Sequence, residues 1–207
     1  MAVSLADSST GGYLNPTSPP PTDDLDLDTL IGTLIAGVTG LDGDHVFPRW
    51  QETQPRIPDG TETWVSVGVN VSTPDDTPAQ IHHADGDGYT VLRTFYRLDV
   101  LASFYGRKSD AYAKLTRDSL YVDQNRETMR AGGLNLVGFD PIRRIPEISA
   151  THSRRRSDLA FRLTQTVERT YGILNVLEAD GTVIADGGTP AGQTIITTPF
   201  KSPRPAV

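Results

Sequence analysis

The chain has 207 residues and no cysteine, and its 26 Asp and Glu residues outnumber 19 Lys and Arg residues to give a net charge of -7. An acidic chain disfavours a protein that coats nucleic acid or anionic membranes, and the lack of cysteine excludes disulfides, thiolate zinc sites and a cysteine nucleophile. No apolar run approaches the roughly 20 residues of a membrane span, and the first residues lack a basic region followed by an apolar segment, so we expect a cytoplasmic, unprocessed product.

Residues 1–24 are rich in Ser, Thr, Gly and Pro, and this composition cannot bury enough apolar area to fold by itself. We expect an N-terminal arm there that is either disordered or laid across a neighbouring subunit. From Leu25 to Val38, apolar residues recur at three- and four-residue spacing, which predicts a first helix ending near Gly37 or Gly40. Acidic residues gather at its start, where the helix dipole favours negative charge: Asp23, Asp24, Asp26 and Asp28.

Two strands of a sheet are predicted next. Residues 46–54 lead through the Pro-rich turn PRIPDG into residues 64–71, where valines alternate with small or polar side chains. After a polar loop, residues 89–103 are rich in β-branched and aromatic side chains, as sheet strands are.

Helical segments then return. Residues 107–120 place Ala, Tyr and Leu on one helical face, and residues 122–131 continue as a second helical turn or bend that Gly132-Gly133 ends. Residues 134–139 are predicted as a short strand. The prolines that follow confine its continuation to an edge or a loop.

Residues 154–171, with the sequence RRRSDLAFRLTQTVERTY, alternate between apolar and polar side chains. This period of two predicts a long, half-buried antiparallel strand that serves as scaffold. Its apolar face consists of Leu159, Phe161, Leu163, Val167 and Tyr171. Its polar face consists of Asp158, Arg162, Thr164, Thr166 and Glu168.

The last part of the sequence predicts a hairpin and a tail. The turn signal Ala179-Asp180-Gly181 lies between residues 172–178 and 182–185, which would pair as a closing hairpin. From residue 186 the chain is again rich in Pro, Thr and Gly, so we expect a C-terminal arm over residues 186–207. Within it, residues 194–198 are extended and apolar enough to pair with the sheet edge of another subunit.

The sequence nominates no catalytic residue, no cofactor and no metal. Asp85 and Asp87 are spaced like the first carboxylates of a calcium loop, but Tyr89 and Tyr96 occupy positions where that loop needs ligands. We therefore interpret this pair, and the similar pair at residues 42–44, as surface turns. The spacings typical of nucleophile elbows, phosphate loops, zinc proteases and dinucleotide sites do not occur in their required contexts.

His82 and His83, with Asp85 and Asp87 nearby, could supply ligands for a transition metal, and a metal-dependent hydrolase is the alternative from another class. Adjacent histidines on an extended segment point to opposite sides, so solvated loop histidines are the favoured interpretation. The isolated histidines are interpreted as hydrogen-bonded structural residues: His45 and His152.

The strong charge cluster of the sequence consists of arginines: Arg143, Arg144, Arg154, Arg155 and Arg156. Three interpretations compete: a solvated strand edge, a belt of ion pairs between subunits, and a contact with phosphate. The planar guanidinium suits the second, because it pairs with carboxylates through two hydrogen bonds. The cluster is therefore a candidate subunit interface, and a nucleic-acid binder is a further alternative.

The order of segments along the chain is distinctive. A helix ending in LIAGVTGL is followed by VFPRWQ, by the strand WVSVGV and by a strand ending in LDVLASFYG. The helix SDAYAKLTRDSL, the segment PIRRIPEI and the strand RRRSDLAFRLTQTVERTYGI come next. Over residues 27–184, this order resembles the neck or tail terminator proteins, also called tail completion proteins, of tailed bacteriophages.

The resemblance implies an α+β domain over residues 25–185, with a twisted, mostly antiparallel sheet flanked by helices and extended arms at both ends. It implies a structural virion protein without enzymatic activity. Six copies would form a ring at the head-proximal end of the tail, end tail-tube polymerisation and join the tail to the head connector, while DNA passes through the lumen without specific binding. The alternative in the same setting is another head-to-tail connector or a minor tail protein.

Overall fold

The computed structural model describes residues 4–5, 7–9, 11–51, 53, 57–58, 62–149, 152–176, 179–186 and 195–202. The chain divides into two compact units. The larger unit consists of Ser18–Ile81 and Leu92–Arg169. The smaller unit consists of Met1–Thr17, His82–Val91 and Thr170–Val207.

Helices and strands alternate irregularly along the chain. Strands β1 (Ser4–Leu5) and β2 (Tyr13–Leu14) precede helix α1 (Asp24–Thr39), which is followed by β3 (Val46–Pro48), β4 (Trp64–Pro74), β5 (Ala79–His83) and β6 (Tyr89–Tyr105). Helices α2 (Ser109–Ser119) and α3 (Asp123–Ala131) lead to β7 (Leu134–Phe139), β8 (Arg143–Ser149), β9 (His152–Tyr171), β10 (Ala179–Asp186) and β11 (Ile195–Ser202).

A seven-stranded sheet organises the larger unit. Its strand order is β3-β4-β6-β9-β7, with β5 paired to β6 and β8 paired to β9. The β3–β4 pair is parallel, whereas β4–β6, β7–β9 and β8–β9 are antiparallel. The predicted α+β class with a mostly antiparallel sheet flanked by helices is confirmed.

Helix α1 packs its apolar stripe on this sheet. Ile31 and Ile35 are fully buried, as the three- and four-residue spacing predicts. The helix ends at Gly40, whose left-handed φ of 70° lets its N–H reach the Ala36 carbonyl at 2.8 Å, a conformation that glycine adopts without strain. At the other end, buried Asp28 accepts a hydrogen bond from the Val69 N–H at 2.9 Å.

The face of the sheet that carries the helices holds the apolar core. Every second residue of β4 and β9 points into this core: Val65 and Val67 on β4, and Leu159, Phe161 and Leu163 on β9. All five side chains are 0–1% exposed. The predicted long strand and its buried apolar positions are therefore confirmed from Leu159 to Val167. Gln165 breaks the apolar pattern, and its amide donates to the Thr22 carbonyl at 2.8 Å.

The predictions for the later strands have different outcomes. The chain after β7 forms strand β8, which pairs with β9 at an edge of the sheet, as the prolines predict, and Pro146 is tolerated there because no described strand pairs with the outer edge of β8. The predicted hairpin about Asp180-Gly181 is wrong. These two residues lie within β10 and pair with Lys201 and Phe200 of β11.

The C-terminal segment is paired within the chain. Ile195–Ser202 pairs with β10 of the same chain, and Thr194 lies outside the described residues. Pairing of residues 194–198 with the sheet edge of another subunit stays a prediction. In the smaller unit, the N-terminal segment follows the end of β9. The Thr17 N–H donates to the Thr170 carbonyl at 2.7 Å, and the Ser8 N–H donates to the Gly172 carbonyl at 2.8 Å.

Candidate subunit interface

The pairing of β8 with β9 brings the five predicted arginines together. Arg154, Arg155 and Arg156 on β9 lie opposite Glu147, Pro146 and Ile145 on β8. Because successive strand residues point to opposite faces, Arg155 lies on the helix-bearing face of the sheet, while its two neighbours lie on the second face. The run of arginines is thus divided between two surfaces.

Arg144 is fixed within the chain by helix α2. Its Nε and Nη2 donate to Asp110 Oδ1 and Oδ2 at 3.0 and 2.5 Å. Lys114, one helical turn further on, approaches the same carboxylate at 2.8 Å. The hydrogen bonds from Arg144 and then Lys114 lower the pKa of Asp110 to about 2. Arg144 therefore serves an intramolecular pair and does not present an unpaired charge.

Arg156 is also paired within the chain, and its ion pair is more buried than that of Arg144. Its Nε and Nη2 donate to Asp158 Oδ1 and Oδ2 at 2.7 and 2.9 Å, with 10% of the Asp158 side chain exposed. Its guanidinium also lies over the Tyr105 ring, 5.7 Å from the centroid. The hydrogen bond to Asp158 raises the pKa of Arg156. Asp158 was predicted on the solvent face, and it is buried because Arg156 and the surrounding side chains cover it.

Arg154 lies on an aromatic stack. Trp64 and Tyr105 are stacked with ring centroids 4.0 Å apart and planes inclined by 13°, and both are buried. The Arg154 guanidinium lies over Trp64, 5.9 Å from the ring centroid. This distance is typical of a cation–π contact.

A sixth arginine, Arg49, joins the second face from the segment after β3. Its Nη2 donates to the Oγ of fully buried Ser103 at 2.8 Å. Its Nε is buried without a hydrogen-bond partner among the described residues. Burial lowers the pKa of the Arg49 guanidinium. Sequence analysis missed this residue because it lies far from the cluster in the chain.

Several exposed cations have no carboxylate partner in the described part of the chain, and four of them belong to the segment before α2 and to strands β8 and β9: Arg107, Lys108, Arg143 and Arg155. We refer to these four residues as the basic edge. Arg107, Lys108 and Arg155 line one surface depression at the start of α2. Arg143 is the first residue of β8. Arg143 and Arg155 are thus the exposed residues of the predicted interface without a carboxylate partner, and Arg154, which also lacks one, lies over Trp64.

The histidines named as alternative metal ligands occupy a different place. His82 Nδ1 lies 3.0 Å from the Thr90 hydroxyl, and His82 Nε2 lies 2.8 Å from Asn175 Oδ1. His83 stacks on Tyr89 with centroids 4.7 Å apart. Both nitrogens of His82 are therefore engaged, and no group of three or more His, Cys, Asp or Glu residues in the described part of the chain could hold a metal ion.

The Asp85–Asp87 segment is a hydrogen-bonded turn. The Asn175 amide donates to the Ala84 and Gly86 carbonyls at 3.0 and 3.3 Å, and the Asn175 N–H donates to the Asp87 carbonyl at 2.9 Å. Elsewhere, His45 Nε2 lies 3.4 Å from Glu62. The side chain of His152 lies outside the described part of the chain.

The comparison with known proteins assigns the class. The family described as phage neck terminator protein matches residues 25–188, most of the chain and nearly all of the larger unit. The chain belongs to this family of phage structural proteins, and the resemblance read from the sequence is confirmed. It is a component of the phage neck or tail. No curated protein matches the chain. None of the described helices is long and apolar enough to cross a membrane.

Proposed function

We propose that the chain forms a closed, head-to-tail ring of six copies at the head-proximal end of a phage tail.

 The ring ends polymerisation of the tail tube and joins the tail to the head connector, and DNA passes through its lumen without specific binding. The family supports the neck location. The observation that carries the assembly is the basic edge.

The charges of the basic edge determine how two copies can meet. The basic edge contributes four exposed cations to a chain whose net charge is -7, so the other surfaces carry an excess of acid. Two basic edges would repel each other, whereas a basic edge facing an acidic surface of the next copy is attractive. Contacts between different surfaces are heterologous, and they close into a ring when the rotation between copies allows it.

The acidic surface also suits the proposed lumen. A protein that binds DNA does so largely by neutralising phosphates with Lys and Arg. If the basic edge is covered by the neighbouring copy, the remaining acidic surfaces repel the DNA backbone. DNA can then pass through the ring without being held.

The test is the mass of the full chain in solution by light scattering, with negative-stain imaging, alone and with tail-tube protein. We expect a closed ring near six subunits and tubes that stop growing when the ring is added. Arg155→Glu should weaken ring formation and leave the melting temperature close to that of the wild type. A chain that stays monomeric with tube protein present, and leaves tube length unchanged, would contradict the proposal.

An intermediate result would favour the alternative function, that of another head-to-tail connector or a minor tail protein. A ring that binds the head connector but leaves tube growth unchanged would assign the chain to head-to-tail joining without termination. That outcome would also contradict the terminator role proposed here.

A further inference from the structure

A cavity of about 520 Å³ lies on the second face of the sheet, away from the helices. Its lining includes Phe47, Arg49, Trp64, Tyr105, Glu147 and Arg154. These residues come from β3 and the segment after it, from β4, β6 and β8, and from β9. We refer to it as the arginine cavity.

Two guanidinium groups line the arginine cavity without a carboxylate bonded to either. Arg49 donates to the Ser103 hydroxyl, and Arg154 lies over Trp64. Arg156 is close by, but Asp158 already neutralises it through two hydrogen bonds. The positive charges of Arg49 and Arg154 are thus left without a bonded counter-charge in this part of the structure.

Two buried polar atoms on the lining are also incomplete. Arg49 Nε has no acceptor, and Glu147 Oε2 has no donor, among the described residues. The closest cation to Glu147 Oε2 is Arg156 Nη1 at 3.7 Å, which is too long for a hydrogen bond. Buried donors and acceptors are nearly always satisfied in native proteins, so a ligand that offers both an acceptor and a donor would complete this pair.

We propose that the arginine cavity binds an Asp or Glu side chain presented by a second copy of this chain. The carboxylate accepts hydrogen bonds from the guanidinium groups, and the main-chain N–H of the inserted segment is a donor for Glu147. The proposal rests on the head-to-tail assembly described above, and it adds a specific contact on the opposite face from Arg155.

Charge favours a protein carboxylate over nucleic acid as the occupant. Glu147 lines the same cavity and would repel the successive phosphates of a polyanion, whereas one carboxylate balances one of the two free guanidinium charges. A second copy offers many carboxylates, because the chain has 26 Asp and Glu residues. Two arginine cavities each carry more arginine than glutamate and would repel each other, so the contact is again between different surfaces.

The experiment uses Trp64 as its probe. The chain has two tryptophans, and Trp50 is 62% exposed, so Trp50→Phe leaves Trp64 as the one indole, directly beneath Arg154. In this background, self-association is followed by sedimentation velocity and by Trp64 fluorescence over a dilution series. Two variants change Arg154: Arg154→Gln removes the charge with little change in length, and Arg154→Lys keeps the charge without the planar guanidinium. The matched control is Arg97→Gln, which changes an exposed arginine of β6 that has no carboxylate partner among the described residues.

We expect Arg154→Gln to weaken self-association about tenfold or more, Arg154→Lys to fall between it and the wild type, and Arg97→Gln to stay within about twofold. Thermal melts of each variant separate loss of folding from loss of contact. N-acetyl-aspartate amide, titrated into the Trp50→Phe chain, should change Trp64 fluorescence, and the change should be lost in Arg154→Gln.

The outcomes separate this site from the proposed function. If the wild type assembles and Arg154→Gln assembles equally well, the cavity site is wrong and the ring stands. If the wild type never assembles, the ring is wrong, and the aspartate titration alone decides the site. A Trp64 response to duplex DNA but not to the aspartate probe would overturn the protein carboxylate as the ligand.

Discussion

Replacement of Asp158 by alanine tests whether the paired arginine beneath the cavity is structural. The substitution leaves the Arg156 guanidinium without the carboxylate that holds it at 2.7 and 2.9 Å. The side chains of Asp158 and Arg156 are 10% and 24% exposed, so the pair lies between a surface ion pair and a buried one. Surface pairs contribute about 0–1 kcal/mol, and breaking a buried pair costs about 3–5 kcal/mol. We expect a loss of about 2–3 kcal/mol in the free energy of unfolding.

Two further variants separate charge from shape. Asp158→Asn keeps one acceptor for Arg156 at the same position, so its cost should be about half that of Asp158→Ala. The double variant Arg156→Met with Asp158→Leu removes both charges and fills the space with apolar atoms. Because such replacements of ion pairs are often neutral, it should lie within about 1 kcal/mol of the wild type.

Urea unfolding followed by far-UV circular dichroism measures these differences in the free energy of unfolding. The comparison holds for variants in which the slope of this free energy against urea concentration equals that of the wild type. A loss below about 0.5 kcal/mol for Asp158→Ala would refute the reasoning, since that is the range of ordinary surface substitutions. The double variant has a second use. If it is stable but assembles poorly, Arg156 acts in the contact between copies as well as in the fold.

Three other changes test separate parts of the structure. The folded-state pKa of Asp110 lies near 2, below its usual 3.8, so the stability that its pairing with Arg144 contributes is present above about pH 4 and is lost as the pH falls towards 2. In acid unfolding, the free energy of unfolding of Arg144→Gln should therefore lie below that of the wild type above about pH 4 and become equal to it near pH 2. Burial raises the pKa of Asp28, so Asp28→Asn should be at least as stable as the wild type at neutral pH, whereas Asp28→Ala should lose about 1–3 kcal/mol in urea unfolding because the Val69 N–H loses its acceptor. Phe161→Ala should cost about 3–5 kcal/mol, since the ring is 1% exposed, and a thermal melt showing less than about 2 kcal/mol would mean that the core collapses into the space.

The long strand and the first helix could be predicted because their patterns repeat over many residues. Each buried position of β9 from Leu159 to Val167 follows the period of two, and each turn of α1 repeats the same stripe. The hairpin prediction failed because Asp-Gly is a two-residue signal. The eight-residue pairing of β10 with β11 places Asp180 and Gly181 within a strand, and a local turn preference is weaker than a complete ladder.

The candidate site was predicted only in part, for a geometric reason. The run Arg154–Arg156 has one sign of charge along the sequence, but strand alternation sends Arg155 to one face and its neighbours to the other. The residues that complete the second face come from elsewhere in the chain: Arg49 from the segment after β3, and Tyr105 from β6. No local signal in the sequence connects them with β9, so only the register of the sheet reveals the cavity.

The positions of the two basic surfaces constrain where a neighbouring copy lies. Arg155 and the arginine cavity are on opposite faces of the sheet, and β8 carries the edge between them. A neighbour that contacts both must therefore pass around the outer edge of β8. Pro146 in that strand has no N–H, so main-chain pairing there is interrupted and side-chain contacts must supply much of the specificity. Carboxylates on the neighbour, placed to meet both faces, satisfy this requirement with a single heterologous contact.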